Sequence, residues 1–223
     1  NVIVLEMGCG TGRITIPLSH HVSKVVGVDI SKDRINVADY KAKKLSINNI
    51  CFLCEDMCKI NFSTKFDLII IPYSTFQLLD SDRERKKCLT IISKFLSQDG
   101  LAIIDISNNF MNKLHHVDKR IVTSGYCAYY KENITLFENC IQDYYNQTTT
   151  INKNFVFSDG REFLFTEKWF TVKENEIKWL ISDLKIEVTE IYGTYEYDYL
   201  YDKNGNINKD SYKKIFIIRR KEI

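Results

Sequence analysis

The chain has few prolines, few glycines and no long hydrophobic run. Only 2 of its 223 residues are proline and 9 are glycine, which excludes a collagen-like or linker-dominated chain. Apolar runs such as residues 66–72 are far shorter than the roughly 20 residues that a membrane-spanning helix needs. The formal net charge is only +2, which favours neither a nucleic-acid nor a membrane partner. We therefore expect a globular protein with one domain, with or without an appendage, and no membrane association.

The cysteines do not indicate a disulfide framework. Their number, 7, is odd, the chain is large enough to bury a core, and its first segment has no signal-peptide pattern. We expect reduced thiols and a cytoplasmic location. Cys51 and Cys54 point to opposite faces of one predicted strand, and neither they nor Cys58 have an evident fourth ligand, so no metal site is predicted. Because the chain begins at Asn1 rather than Met, we expect it to be a piece of a longer product.

The first half of the chain alternates short apolar runs with longer amphipathic segments. This rhythm is typical of βαβ units that build a parallel sheet. Ser31 is a candidate N-cap of the second helix, and Asp99 with Gly100 marks a stop after the third. Strands are predicted at residues 2–6, 24–29, 50–54, 66–72 and 101–106, and helices at about 13–21, 32–45 and 82–96.

After Ser107 the pattern changes to aromatic and β-branched alternation. Asp159 and Gly160 predict a hairpin turn within this region. The composition of residues 192–208 predicts a long exposed loop or hairpin tip. A small antiparallel layer is therefore expected, followed by one helix and two strands at the far edge of the main sheet. The predicted strands are 126–137, 140–149, 154–157 and 162–170, then a helix at 172–184 and strands near 186–192 and 214–219.

Three glycines follow the first strand at alternate positions, in Glu6-Met-Gly8-Cys-Gly10-Thr-Gly12-Arg13. Such a turn lets the backbone pass close to a ligand where a Cβ atom would clash, and it aims helix N–H groups at that ligand. A tight turn without a ligand is the alternative. A nicotinamide dinucleotide site fits less well, because such sites have the pattern G-x-G-x-x-G and Arg13 stands at the position of the third glycine.

Acidic residues end the next two strands. Asp29 ends the second strand, where a carboxylate can accept hydrogen bonds from both hydroxyls of a ribose. Asp56 follows the third strand and is suited to accept from an exocyclic amine such as that of adenine. Acids at strand ends are also common as helix caps. Their joint placement beside the glycine loop favours a nucleoside site.

These motifs resemble those of the class I S-adenosylmethionine-dependent methyltransferases. The resemblance lies in the glycine loop, in Val25-Val-Gly-Val-Asp29-Ile-Ser31, in Glu55-Asp56-Met57 and in residues 66–76, and with the late helix and final strands it covers essentially the whole chain. The sequence departs from the family pattern in two ways. Glu55 stands at a position where glycine is common in the family, and the helical segment that usually precedes strand one and covers the active site is not part of this sequence. The inserted layer resembles the layout of bacterial small-molecule methyltransferases, including those acting on amino sugars of natural products.

The fold class expected from the pattern and this resemblance is α/β. It is a doubly wound, mostly parallel seven-stranded Rossmann-like sheet with an antiparallel final strand and a small antiparallel β layer inserted after strand five. We expect a cofactor-binding core at residues 1–107, the inserted layer at 108–170, and a helix and final strands at 171–223 that complete the core sheet.

The resemblance implies S-adenosylmethionine as cofactor and S-adenosylhomocysteine as product. The glycine loop would approach the amino-acid moiety, Asp29 would hold the ribose and Asp56 the adenine amine, while residues 72–77 would line the methyl-transfer site. The candidate cofactor-binding residues are Glu6, Gly8, Cys9, Gly10, Gly12, Arg13, Asp29, Ile30, Asp56, Met57, Pro72 and Tyr73.

Methyl transfer from a sulfonium is an in-line displacement that needs orientation, close contact and exclusion of water. Tyr73 and Phe76 are candidate aromatic walls for the sulfonium, with core packing as the alternative. His115 and His116 are candidate bases, with two solvent-exposed loop histidines as the alternative. The candidate catalytic residues are Tyr73, His115 and His116, and the candidate acceptor-pocket residues are Phe76, Gln77 and Trp169.

The sequence therefore predicts a methyltransferase of EC 2.1.1 type that methylates nitrogen or oxygen of a small molecule. The near-neutral charge and the inserted layer favour a small acceptor over nucleic acid. Two alternatives stay open: a methyltransferase acting on RNA or protein, and a non-catalytic S-adenosylmethionine-binding partner subunit. A homodimer is also left open.

Overall fold

A computed structural model describes residues 1–107, 117–127, 130–208 and 211–222, with the backbone alone at 117–120. The chain forms two compact units, Asn1–Asn108 with Val172–Ile223, and Asn109–Thr171. In chain order the elements are β1 (Ile3–Met7), α1 (Thr15–Ser19), β2 (Lys24–Asp29), α2 (Lys32–Lys44), β3 (Ile50–Cys54), β4 (Phe66–Ile71), a 3-10 turn (Thr75–Leu78), α3 (Asp82–Phe95), β5 (Leu96–Ser107), β6 (Val117–Cys127), β7 (Glu132–Asp143), β8 (Thr148–Phe157), β9 (Glu162–Phe170), α4 (Glu174–Leu180), β10 (Ile186–Tyr192) and β11 (Lys213–Arg220).

The first unit is built on a seven-stranded sheet with the order β3-β2-β1-β4-β5-β11-β10. β11 runs antiparallel to both of its neighbours, and the other strands run parallel to one another. In such a sheet the carboxyl ends of the parallel strands share one edge, and ligands bind outside that edge at the point where strand order reverses. Here that point lies between β1 and β4, next to the glycine loop. The predicted fold class is confirmed.

The core of the first unit lies between the sheet and the helices α3 and α4. Central strands covered on both faces have nearly continuous apolar sequences, as in β4, where Phe66, Ile69 and Ile71 are fully buried. Phe62 packs edge-on against Phe66 and Phe95, with ring centroids 5.1 and 5.5 Å apart. These contacts pack the first residue of β4 and the last residue of α3 against the same ring. No helix among the described residues is long and apolar enough to span a membrane.

The helix ends predicted from the sequence are confirmed in part. The side chain of Ser31 accepts a hydrogen bond from the backbone N–H of Arg34 at 3.4 Å, so its predicted N-cap role is confirmed. Helix α3 ends at Phe95, within one residue of its predicted end, but β5 begins directly at Leu96, so Asp99 and Gly100 lie inside that strand rather than between the helix and the strand.

The second unit is an antiparallel sheet with the order β6-β7-β8-β9. Two strands predicted here, 126–137 and 140–149, are wrong in their bounds, because each spans a reversal of the chain. The reversals use Lys131 and Gln147 at φ of 57° and 52°, without a glycine to mark them. The third hairpin is as predicted, with Gly160 at φ 86° and its N–H donating to the carbonyl of Phe157 at 3.0 Å.

Candidate functional site

The loop after β1 passes across the end of β2. The N–H groups of Gly8 and Cys9 donate to the carbonyl of Val28 at 2.7 and 2.9 Å, and the N–H of Gly12 donates to the carbonyl of Cys9 at 3.0 Å. Cys9 itself is buried, and burial raises the pKa of its thiol far above the usual range. The thiol is therefore a packing group, and the backbone of the loop carries its ligand-binding potential.

The glycines of this loop have different steric surroundings. All three have left-handed φ, 81° at Gly8, 55° at Gly10 and 78° at Gly12. A Cβ at Gly8 would lie 2.3 Å from Cγ2 of Thr75, whereas a Cβ at Gly10 would meet no atom within 4 Å. Gly8 thus permits the loop to pack against the segment after β4, and Gly10 faces open space where a ligand has room.

Asp29 ties the glycine loop to the end of β2. Its side chain is buried, with Oδ2 accepting from the N–H of Gly10 at 2.8 Å and Oδ1 accepting from the N–H of Ser31 at 2.9 Å. Each carboxylate oxygen can accept one more hydrogen bond. The next residue, Ile30, is apolar and yet 75% exposed. A carboxylate and an exposed apolar side chain therefore stand side by side at the open edge of the sheet.

Glu6 is a buried carboxyl group in β1. Burial raises its pKa to about 7, although the hydrogen bond that it accepts from the hydroxyl of Thr15 and the nearby charge of Arg13 oppose the shift. Its protonation therefore changes near neutral pH, beneath the glycine loop.

Asp56 lies in the turn after β3. Its Oδ1 accepts from the N–H of Cys58 at 2.9 Å, and its Oδ2 lies 3.0 Å from Nζ of Lys59. Burial acts to raise the pKa of Asp56, but these two hydrogen bonds outweigh it and the pKa is lowered. Met57 is half-buried and packs against the core. Asp56 is thus an ionised cap of this turn as well as a candidate adenine partner.

The segment after β4 has an unusual backbone. Tyr73 and Ser74 are consecutive non-glycine residues at φ of 54° and 62°. Asp105 of β5 holds them, because its Oδ2 accepts from the N–H of Tyr73 at 3.1 Å and its carbonyl accepts from the N–H of Ser74 at 3.1 Å. The guanidinium carbon of Arg13 lies 3.6 Å from the ring centroid of Tyr73. Such strain recurs at functional sites, where surrounding contacts maintain it.

A cavity of about 270 Å³ lies beside this segment. Pro72 and Tyr73 line it together with isoleucines of the sheet and tyrosines of the loop after β10, and among the described residues that line it Asp105 is the one acid. The hydroxyl of Tyr195 donates to Oδ2 of Asp105 at 2.5 Å, and Nζ of Lys213 lies 2.9 Å from Oδ1. Sequence reasoning missed this cluster. Its one signal was an acid inside the apolar run of the fifth strand.

Phe76 and Gln77, predicted for the acceptor pocket, are not among the residues that line this cavity. Phe76 is fully buried in the hydrophobic core, which is the packing role weighed as its alternative. Gln77 is 1% exposed, and its Oε1 accepts from the N–H of Ser107 at 2.7 Å. Both side chains support the segment from beneath. His115 and His116 lie outside the described residues.

The second unit has its own cavity of about 910 Å³ over one face of its sheet. Arg161 lines it, with its guanidinium 4.7 Å from the ring centroid of Phe157 and paired with Glu132 at 2.6 Å. Trp169, on β9 opposite Thr149, is half-buried and is not among the residues that line this cavity. Among the residues described, no group of histidine, cysteine or acidic side chains could hold a metal ion.

Comparison with known proteins places the chain in a family. A family model described as a methyltransferase domain matches residues 1–180. Malonyl-[acyl-carrier protein] O-methyltransferase of Bacillus anthracis is 30% identical over 105 residues, 46% of this chain and 36% of that protein. The 23S rRNA (uracil(1939)-C(5))-methyltransferase RlmD of Legionella pneumophila (strain Paris) is 27% identical over 124 residues, 56% of this chain and 27% of that protein. The matched region thus spans less than half the length of these relatives.

The fold has a solved counterpart. CalS10, an amino pentose methyltransferase from Micromonospora echinaspora whose structure holds S-adenosylmethionine, superposes with a TM-score of 0.74 at 13% identity, over 99% of this chain and 84% of that one. At this identity the likeness concerns the fold. Because the family model matches well over half of the chain, the protein belongs to the methyltransferase domain family, with the class I fold of S-adenosylmethionine-dependent methyltransferases.

Proposed function

We propose that this protein is a methyltransferase that binds S-adenosylmethionine and transfers its methyl group to nitrogen or oxygen of a small molecule, releasing S-adenosylhomocysteine. The observation that carries the proposal is the pairing of Gly10 with Asp29 beside open space. A cytoplasmic location belongs to the same proposal and is in line with seven free cysteines.

The residues present fit the cofactor. No Cβ occupies the open side of Gly10, so the amino-acid moiety can approach the backbone there. Asp29 keeps acceptor capacity for ribose hydroxyls beyond its two backbone partners. The exposed side chain of Ile30 offers an apolar surface for the flat face of a purine. Asp56 would accept from the adenine amine. The proposed cofactor-binding set is Glu6, Gly8, Cys9, Gly10, Gly12, Arg13, Asp29, Ile30, Asp56, Met57, Pro72 and Tyr73.

The cofactor would supply an electrophilic methyl group on a positively charged sulfur. The chain's own contribution is to orient the donor and acceptor and to exclude water. The left-handed backbone at Tyr73 and Ser74, held by Asp105, directs this segment toward the glycine loop that Thr75 contacts. The ring of Tyr73 provides an aromatic wall, which suits a charge that disappears in the transition state better than a carboxylate would.

The acceptor is proposed to be a small molecule. The near-neutral charge of the chain and the fold shared with an amino pentose methyltransferase support it. The matched rRNA methyltransferase favours RNA as a second candidate. The two differ in salt dependence, because binding to a polyanion weakens steeply with salt whereas binding of a neutral small molecule does not. A polyanion acceptor would therefore lose affinity between about 50 and 200 mM salt.

The proposal is tested by calorimetric titration of the protein with S-adenosylmethionine and, separately, with S-adenosylhomocysteine. Micromolar binding of both is the expected result, and absence of binding to either overturns the proposal. Release of S-adenosylhomocysteine in the presence of small amine and alcohol acceptors then separates an enzyme from a non-catalytic subunit. Cofactor binding without turnover in any acceptor mixture, together with copurification of a catalytic partner, would favour the subunit.

A further inference from the structure

We propose that Tyr195 and Asp105 form the acceptor side of the methyl-transfer site and select an acceptor that presents an N–H or O–H group. This inference rests on the proposed function. Both residues lie far from the cofactor motifs in sequence, and their hydrogen bonds define the chemistry of the acceptor group that the cavity takes.

The cluster is connected to the cofactor loop by a short series of contacts. Arg13, which follows the glycine loop, lies 3.6 Å from the ring centroid of Tyr73. The N–H of Tyr73 donates to Oδ2 of Asp105 at 3.1 Å, and the hydroxyl of Tyr195 donates to the same oxygen at 2.5 Å. Tyr73, Asp105 and Tyr195 all line the cavity of about 270 Å³. The carboxylate thus joins the methyl-donor side of the site to the loop after β10.

The direction of the hydrogen bond at Tyr195 decides what the cavity recognises. Because its single hydroxyl proton is given to Asp105, the phenolic oxygen offers only lone pairs to a ligand. A ligand that meets this oxygen must therefore donate, as an amine or an alcohol does. A carboxylate acceptor has no proton to donate and would face oxygen lone pairs across the site.

The electrostatics of the cluster favour the same choice. Nζ of Lys213 lies 2.9 Å from Oδ1 of Asp105, so the carboxylate charge is balanced at one oxygen while the other holds the tyrosine. Burial of Tyr195 and its hydrogen bond to Asp105 raise the pKa of the phenol above its ordinary value, so the hydroxyl stays protonated. Isoleucines such as Ile70, Ile103 and Ile215 form a large part of the remaining lining, beside polar residues of which Thr194 is one, and this apolar part suits a small acceptor with an apolar body.

The test uses a cofactor analogue, so that it does not depend on knowing the acceptor. In sinefungin a carbon bearing an amino group replaces the methylated sulfur, and its N–H groups stand at the point of methyl transfer. S-Adenosylhomocysteine lacks any group there and reports cofactor binding alone. Wild-type protein should bind sinefungin about 10-fold more tightly than S-adenosylhomocysteine, as expected for one hydrogen bond to a charged donor.

Tyr195→Phe should abolish that preference and leave the affinity for S-adenosylhomocysteine unchanged. Tyr212→Phe is the matched control, because this ring packs against Tyr195 at 6.0 Å and does not line the cavity, and it should keep the preference. Asp105→Asn, a change at the positioning residue, should reduce the preference as well, because the tyrosine loses its charged acceptor. Thermal unfolding of each variant checks that it folds.

The possible outcomes separate the two proposals. If wild-type protein binds neither compound, the proposed function fails. If it binds both equally, or if Tyr195→Phe and Asp105→Asn keep the wild-type preference, the proposed function stands and the acceptor-side role of Tyr195 and Asp105 is overturned.

Discussion

The backbone N–H of Gly10 donates a hydrogen bond to Oδ2 of Asp29 across 2.8 Å. The two residues belong to different strand ends, and the sequence suggests them separately as partners of the amino-acid and ribose moieties. In the structure they form one unit, because the carboxylate that would hold the ribose also fixes the loop. Changes at Asp29 should therefore affect the loop as well as the cofactor.

Replacement of Asp29 should weaken cofactor binding strongly. Asp29→Ala removes the acceptor for the N–H groups of Gly10 and Ser31, and hydrogen bonds to a charged group contribute about 1.5–3 kcal/mol each. We expect a loss of about 10- to 100-fold in affinity for S-adenosylmethionine by calorimetry. Asp39→Ala, at an exposed acid paired with Lys43 on α2, is the control and should bind like wild type. Unchanged affinity in Asp29→Ala would remove Asp29 from the site.

Gly8→Ala should destabilise the protein, and a smaller side chain at Thr75 should relieve part of the loss. In Gly8→Ala the new Cβ meets Cγ2 of Thr75 at 2.3 Å, at a φ of 81°, so the free energy of unfolding should fall by about 1–3 kcal/mol. Thr75→Ser deletes that methyl group and keeps the hydroxyl that donates to the carbonyl of Pro72.

The double variant Gly8→Ala with Thr75→Ser should recover part of the lost stability, measured by urea unfolding. The coupling follows from a shared contact, and residues in contact show interaction energies of about 0.5–3 kcal/mol. Strict additivity of the two single changes would contradict the close approach of the loop to this segment.

The stability of the protein should depend on pH through Glu6. Its folded-state pKa is raised by burial from 4.5 to about 7, so between these values the folded state keeps a proton that the unfolded state has lost. Raising the pH through this window therefore destabilises the fold, by up to about 3 kcal/mol for a shift of this size. Above it both states are ionised and this dependence ends.

Urea unfolding of wild type and Glu6→Gln at pH 5 and pH 8 measures the effect. Wild type should lose stability between pH 5 and pH 8 as Glu6 ionises, whereas the variant should not lose this contribution because its amide does not titrate. The stability of Glu6→Gln relative to wild type should therefore be higher at pH 8 than at pH 5. Glu55→Gln, at an exposed position, should show no such relative gain. A difference between wild type and Glu6→Gln that stays constant with pH would contradict the raised pKa.

The ion pair of Arg85 with Glu176 should stabilise the contact between α3 and α4. The Arg85 side chain is only 7% exposed, and its other acidic partner, Asp82, is 58% exposed. Glu176→Ala removes the less exposed of these two carboxylates from beside the buried guanidinium and should cost about 3 kcal/mol. The exposed pair of Asp39 with Lys43 provides the comparison, and its loss in Asp39→Ala should cost under about 1 kcal/mol in denaturant unfolding. Equal effects at both sites would show that burial of Arg85 is unimportant.

Local patterns predicted most strands of the first unit closely, because each depends on neighbouring residues; β5 is the exception, since it begins at Leu96 rather than at residue 101. The apolar runs matched the parallel strands, the glycines marked a loop that needs left-handed φ, and Ser31 capped its helix as expected. The reversals at Lys131 and Gln147 escaped prediction, since neither residue type requires a positive φ and the alternation of the strands continues on both sides.

Periodicity and backbone freedom are encoded within a few residues, so the class of fold, the glycine loop and the acids at the strand ends could all be predicted from the sequence. Which side chains share the cavity depended instead on long-range contacts. Phe76 was placed in the core, and Asp105 met Tyr195, which is 90 positions away in the chain. Contacts of this kind depend on the order of strands in the sheet and on the course of a loop. Neither can be predicted from a pattern of neighbouring residues.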